Sequence, residues 1–288
     1  MLEDKPVFDK FFQNGNYHAS EACFGTLFIW RGCYKTSWLI AHGALIIKVT
    51  VNDFTFVMPA FGGISGDLEQ VLTSLKEYFK GQPFEIHGLY KETLERFKTY
   101  LPELTDFVPD RDNWDYVYLR EKLATLSGRK YHGKKNHVNA FFKEYPDYVY
   151  EPITPANAQE CIEFGQKWCE RRAETDSSIN CEYCAIKQAL INMEVLGIKG
   201  GLIRINGQVE AFSFGEQINK ETAVVHVEKA NPDIRGLYTV INMLFAQNVF
   251  PDVTYLNREE DMGKEGLRTA KESYHPEFMV EKYNIIVK

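Results

Sequence analysis

Three acids stand in a row at Glu259-Glu260-Asp261, and two cations, Arg268 and Lys271, follow at helical spacing. Asn257 precedes them at the end of a run with strand character. Loops at strand ends present polar side chains over a rigid sheet. A carboxylate in such a loop suits removal of a proton from an attacking amine, and Arg268 with Lys271 suits an anionic group. The same residues also read as a helix start, with Asp261 or Glu260 as the cap and Arg268 in an ion pair. His226 and Glu228 alternate on another strand amid valines, which predicts that both face one side of the sheet and line a cleft. Glu228, His226 and Asp261 are the candidate catalytic groups. Asn257, Glu259, Glu260, Arg268 and Lys271 are the candidate substrate-binding groups.

A second concentration is purely basic. Between Glu121 and Glu144 there is no carboxylate, yet the stretch holds Lys122, Arg129, Lys130, Lys134, Lys135 and Lys143 with His132 and His137. The whole chain has a formal net charge of −7, so this is a local inversion of sign, suited to a phosphate, a nucleotide or an RNA backbone. Arg129, Lys130, Lys134, Lys135 and His137 are the candidate polyanion contacts. A solvated helix face is the alternative, although such faces usually mix signs to gain i,i+4 pairs. A third candidate lies at Arg235-Gly236, where a strand gives way to a helix whose unpaired N–H groups and dipole form an anion site.

Much else is excluded. There is no G-x-S-x-G elbow, Walker A loop or H-E-x-x-H pair, so no side-chain nucleophile announces itself. Direct attack of an amine on an activated acyl group needs none, because alignment and charge stabilisation carry it. Cys181-x-x-Cys184 is half a zinc site without a second close pair, so no metal centre is expected and all six cysteines are read as free thiols. No apolar run is long enough to span a bilayer, and the acidic start lacks a secretion signal. The expectation is a cytoplasmic protein without stable membrane insertion. The sequence leaves monomer and homodimer both open.

With 288 residues, 44% hydrophobic and 25% charged, the chain has room for one large globular domain or two of about 140 residues. Helical periodicity marks Val7 to Gln13, a helix capped by Asp67, Lys91 to Leu101, a helix from Thr154-Pro155 to about Arg172, Ala185 to Leu196, Gly236 to Val249 and Lys264 to Lys271. Strand-like runs are Trp38 to Ala41, Ala44 to Val51, Phe54 to Pro59, Phe84 to Leu89, Tyr116 to Leu119, Asp147 to Ile153, Gly201 to Ile205, Gln208 to Glu216, Thr222 to Glu228, Val253 to Asn257 and Phe278 to Val287. His42-Gly43, Asn52-Asp53 and Asn206-Gly207 read as hairpin turns. The same order of elements occurs twice, which predicts an α/β (α+β) protein of two units, 1–145 and 146–288, each with a mixed, mostly antiparallel sheet flanked by helices.

Two phrases carry a family resemblance. One runs from Asp115-Tyr116-Val117-Tyr118 through Leu126-Ser127-Gly128-Arg129-Lys130-Tyr131-His132 to Lys135-Asn136-His137-Val138-Asn139. The other is Leu256-Asn257-Arg258-Glu259-Glu260-Asp261-Met262-Gly263, continuing from Gly266 to Pro276. With the element order, they resemble the C-terminal domain of phosphatidylglycerol lysyltransferases, a tandem GNAT-like fold related to the Fem-type aminoacyltransferases. The resemblance implies an acyl or aminoacyl transfer from tRNA or a thioester to a small amine or hydroxyl acceptor. No bound cofactor is implied beyond aminoacyl-tRNA or acyl-CoA as donor. Acetyl-CoA users place Gln or Arg, Gly, and Gly or Ala where this chain has Asp233, Gly236 and Tyr238. Only the glycine matches, which favours aminoacyl-tRNA. Lipid-modifying relatives carry a membrane part, and none is expected here. The alternative is a non-catalytic protein that binds tRNA or a nucleotide on a degenerate acyltransferase fold.

Overall fold

The structure, a computed structural model, describes residues 1–12, 17–59, 61–62, 68–100, 102, 104–171 and 179–288. Gln13, Asp67, Leu101 and Arg172, each expected at a helix end, lie outside them. The first elements are α1 (Lys5–Phe12), α2 (Phe24–Ile29), β1 (Lys35–Ala41), β2 (Ala44–Val51), β3 (Phe54–Val57), α3 (Leu68–Tyr78), β4 (Phe84–Tyr90) and α4 (Lys91–Tyr100). A short β5 (Val108–Pro109), β6 (Asp115–Leu119), α5 (Arg120–Thr125) and α6 (His132–Glu144) follow. Next come β7 (Val149–Pro152), α7 (Ala158–Glu170), α8 (Ile179–Ile191), α9 (Met193–Leu196), β8 (Lys199–Ile205), β9 (Gln208–Gln217) and β10 (Thr222–Ala230). The chain closes with α10 (Leu237–Asn248), β11 (Tyr255–Asn257), α11 (Glu265–Glu272), β12 (Phe278–Val280) and β13 (Lys282–Val287).

The hairpin turns adopt the backbone their residues permit. Both central residues are left-handed at His42-Gly43, Asn52-Asp53 and Asn206-Gly207, the conformation that matches the twist of the flanking strands. The strands form two mixed sheets, ordered β1-β2-β3-β4-β13-β5 and β12-β6-β11-β10-β9-β8-β7. Pairing is antiparallel except at β3–β4 and β10–β11. Two mixed, mostly antiparallel sheets flanked by helices are the α/β (α+β) architecture expected from the sequence.

The expected division at residue 145 does not coincide with the sheets. β6 belongs to the sheet built mainly from the C-terminal half, whereas the chain's last strand, β13, completes the N-terminal sheet between β4 and β5. The run Phe278 to Val287, expected as one strand, is two strands in different sheets. Each half thus lends the other a strand. The basic stretch contains α6, so its charges do stand on a helix, as the alternative reading has it.

One core is shared across the halves: Phe8, Phe24, Phe28 and Ile47 pack with Ile186, Leu190, Phe212 and Val227. A second lies under α5, α6 and α10 on the other face of the seven-stranded sheet. Helix α10 is apolar nearly all round and is buried accordingly. Cys33 and Cys181 form a disulfide joining the segment after α2 to α8, which corrects the expectation of six free thiols. Cys23, Cys161 and Cys169 are buried thiols, and Cys184 is exposed.

Helix α2 presses so closely on β9 that a Cβ on Gly25 would lie 1.7 Å from Glu216 Oε1. Gly25→Ala therefore has to displace that carboxylate, at an expected cost of about 1–3 kcal/mol in chemical denaturation. Gly32→Ala, with nothing near its Cβ, is the control. Equal stability of the two variants would refute this seating of α2 on the sheet.

Candidate functional site

Parallel pairing of β10 with β11 covers only Thr222↔Tyr255, Ala223↔Leu256 and Val224↔Asn257. Beyond it β10 continues beside β9, while Arg258 N–H turns to the carbonyl of Tyr116 at 2.9 Å. Charged side chains span the parting strands. Glu228 pairs with Arg258 at 3.0 Å and accepts from Asn242 Nδ2 of α10 at 2.9 Å. The Arg258 guanidinium lies 4.8 Å over the ring of Tyr274, and Lys134 Nζ of α6 lies 3.9 Å over the same ring. Burial, then the neighbouring Arg258, pulls the Lys134 pKa down to about 8. Arg258 Nη1 and Asn242 Oδ1 are buried without a hydrogen-bond partner among the described residues. An unpaired donor and an unpaired acceptor thus flank one carboxylate, an arrangement that costs free energy and leaves room for two further hydrogen bonds.

His226 does not join this group. The register of β10 against β9 shifts between Val225 and Val227, and this bulge breaks the alternation that put His226 and Glu228 on one face. Glu228 points toward α10 with Ala223 and Val225. His226 lies on the opposite face with Cys23 and Glu216. Its Nε2 is 3.0 Å from Glu216 Oε1 and its Nδ1 is 2.9 Å from Glu259 Oε1. Burial by itself would lower its pKa; the two carboxylates outweigh that and hold it up at about 9. Burial and Glu216 together push the Cys23 thiol well up, so it is no ready nucleophile.

The loop after β11 is tied down rather than open. Asp261, fully buried, accepts from Arg268 Nε and Nη2 at 2.9 Å each, Arg111 Nη1 at 3.1 Å, Tyr116 OH at 2.6 Å and Gly263 N–H at 2.9 Å. Its pKa is held far below the usual range, since Arg268 and Tyr116 outweigh the effect of burial. Asn257 Nδ2 donates to Asp115 at 2.9 Å and to the His18 carbonyl at 2.7 Å, while its Oδ1 accepts from Glu259 N–H. Lys271 Nζ donates to the carbonyls of Arg258 and Glu259. The Arg268 ion pair of the helix-start reading is present, but the cap is not, since α11 starts after Lys264 without a side-chain cap. Asn257, Asp261, Arg268 and Lys271 shape the loop that carries Arg258 and Glu259.

Beside the loop lies a buried charge network drawn from both halves. Asp115 of β6 accepts from Lys282 Nζ at 2.7 Å, Ser20 N–H at 2.7 Å and Ser20 Oγ at 3.1 Å, and Lys282 also binds Glu21 at 2.5 Å. Burial raises the pKa of Glu21 and Glu260, opposed by Lys282. The candidate polyanion residues Arg129, Lys130, Lys135 and His137 are exposed, and Lys134 is half-buried. Arg235 is exposed as well. Gly236 caps α10 at φ +84°, where a Cβ would come within 2.5 Å of the His137 carbonyl oxygen. Helix α6 therefore abuts that helix start.

Sequence reasoning missed Arg258, Asn242 and Tyr274 on one face, and Cys23 and Glu216 on the other. Arg258 and Tyr274 lie inside the second quoted phrase, so the signal was present. Cys23, Glu216 and Asn242 carry no local mark.

Removing the Asp261 charge separates the structural and ligand roles of this loop. Asp261→Ala leaves Arg268 and Arg111 without their shared partner and is expected to cost about 3 kcal/mol or more in urea unfolding. The Asp261 contribution is present above the ordinary carboxylate pKa of about 3.9 and fades as pH falls below it. A variant as stable as the parent would refute the structural role.

Comparison with known proteins places the fold and the family. A conserved protein of unknown function from Bacteroides thetaiotaomicron VPI-5482 is 38% identical, with a TM-score of 0.93 over 100% of this chain and 98% of that one. The structure of L-PGS from Bacillus licheniformis superposes with a TM-score of 0.64 at 14% identity, covering 98% of this chain and 91% of that one. FemX does so with 0.60 at 10% identity, covering 100% and 96%. An uncharacterized protein of Mycoplasmoides gallisepticum is 22% identical over 174 residues, which is 60% of this chain and only 56% of that protein's length. The model of the phosphatidylglycerol lysyltransferase C-terminal family matches residues 12–286, and the chain belongs to that family.

Proposed function

We propose that this protein is an acyltransferase that moves an aminoacyl group from tRNA to an amine or hydroxyl acceptor, with the reacting ester held between the parted ends of β10 and β11. The observation that carries the reading is the unpaired Arg258 Nη1 and Asn242 Oδ1 on either side of Glu228. An ester or its tetrahedral intermediate supplies an oxygen for the guanidinium, and the aminoacyl ammonium or the acceptor supplies a donor for the amide. A preorganised cation facing a developing oxyanion is the largest usual contribution to such a reaction. Glu228 is placed to take the proton that the attacking nucleophile releases.

The tRNA is assigned to the exposed basic residues Arg129, Lys130, Lys135 and His137, with Lys134 at the mouth of the site over Tyr274. Tight packing of Gly236 against α6 and the exposed Asp233 nearby speak against a coenzyme A pyrophosphate at the start of α10. Among the described residues no helix is long and apolar enough to cross a membrane. Lipid and soluble acceptors are therefore to be compared directly.

Incubation with charged tRNA and candidate acceptors tests the reading. Protein-dependent loss of the aminoacyl ester is expected, lowered at least about tenfold, or about 1.4 kcal/mol, in Lys134→Ala. Binding with the ester intact would instead make this a tRNA-binding protein. Since the Lys134 cation is lost as pH rises through about 8, tRNA affinity should fall there, and Lys134→Arg should remove that fall. Replacing Arg129, Lys130 and Lys135 with Ala should flatten the slope of log affinity against log salt by up to about three. An unchanged slope would refute the assignment of tRNA to this face.

A further inference from the structure

Cys23, Glu216 and His226 come from three separate segments, the start of α2, β9 and β10. All are buried, and their ligating atoms lie within 4.8 Å of one another. From these residues we infer a binding site for a single divalent transition-metal ion of the zinc class, held by Cys23 Sγ, a Glu216 carboxylate oxygen and His226 Nε2.

Thiolate, imidazole and carboxylate together are a zinc-type donor set. A tetrahedral ion with bonds of about 2.0–2.3 Å holds its ligands about 3.3–3.5 Å apart. His226 Nε2 and Glu216 Oε1, now 3.0 Å apart, need to part only slightly to admit it, and the sulfur closes by a rotamer adjustment. The ion replaces the proton between the imidazole and Glu216, and its charge deprotonates the thiol.

The surroundings are those of a built site. Glu259 contacts the other ring nitrogen, Nδ1, at 2.9 Å, the carboxylate–histidine–metal relay that fixes tautomer and ring plane. Thr26 Oγ1 lies 3.1 Å from Cys23 Sγ and donates to the Ser20 carbonyl at 2.8 Å, a hydrogen that turns to the sulfur once it is a thiolate. Gly25 provides the space into which Glu216 reaches. Cys23 and Glu216 also border a cavity of about 240 Å³ walled by Lys5, Asp9, Phe12 and Gln217. The cavity offers an entry path and room for water or an oxygen ligand in the fourth position. Three protein ligands with one open position distinguish a reactive zinc site from a closed structural one.

The test is titration of the full-length, chelator-stripped protein with Co2+ alone, in a Cys184→Ser background that removes the exposed thiol. One equivalent should give a thiolate-to-cobalt absorption band, and Zn2+ should abolish it while raising the melting temperature. Cys23→Ser should lose the band. Glu259→Gln should keep it with an affinity about 10–100-fold weaker. If the folded parent shows no band in excess Co2+, or Cys23→Ser retains it, the inference is overturned. Should Cys23→Ser fail to fold, the parent titration and Glu259→Gln still decide.

Discussion

Asp115 is the constraint on which the rest of the structure depends. Standing on β6, its carboxylate receives donors from three separate segments: Ser20 in the N-terminal stretch by main chain and hydroxyl, Asn257 of β11 and Lys282 of β13. The two sheets exchange strands at this point, since β6 and β13 each sit in the sheet of the other half. A buried pair of this kind adds little net stability over an apolar substitute, because desolvation offsets most of the attraction. It penalises every alternative instead. Any register or strand order that separates Lys282 from Asp115 leaves an uncompensated charge in the core, a penalty added to that of turning a strand's apolar face to solvent.

The consequences run directly to the site. Asn257, held by Asp115, accepts the Glu259 N–H, and Lys271 gathers the carbonyls of Arg258 and Glu259. Asp261 draws in Arg111, Arg268 and Tyr116. The loop is thereby fixed in a path with Glu259 at positive φ. One face of the sheet receives the Arg258 guanidinium and the other the Glu259 carboxylate. The acids that stand out in the sequence are largely scaffold for the arginine that does not.

Local patterns were legible and non-local ones were not. Turn residues able to adopt positive φ marked the hairpins, and helical periodicity marked α3, α7 and α10 with errors of a few residues at their ends. The split of Phe278 to Val287 into β12 and β13 left no trace in the alternation of apolar residues. What divides it is the demand of buried Lys282 for Asp115, a residue far away in the chain. The Cys33–Cys181 bridge is invisible for the same reason, because spacing rules search for close pairs. Resemblance in the two quoted phrases gave the family and fold together, since those phrases hold β6 with the basic helix, and β11 with its loop.

The bulge in β10 shows how much chemistry one backbone irregularity settles. A regular strand would carry His226 and Glu228 on one face, competing for the same partners. With the register shifted between Val225 and Val227, each acquires its own environment: His226 meets Glu216, Glu259 and Cys23, while Glu228 meets Arg258 and Asn242. Gly215 makes the close strand approach feasible, for a Cβ there would collide with the Val224 carbonyl. Unpaired Arg258 Nη1 and Asn242 Oδ1 each cost about 1–3 kcal/mol. That cost persists only because the apolar core around α10 and the Asp115 network hold both groups in place. Rigid surroundings thus keep these polar atoms in place although they are unsatisfied, which is what preorganisation requires in physical terms.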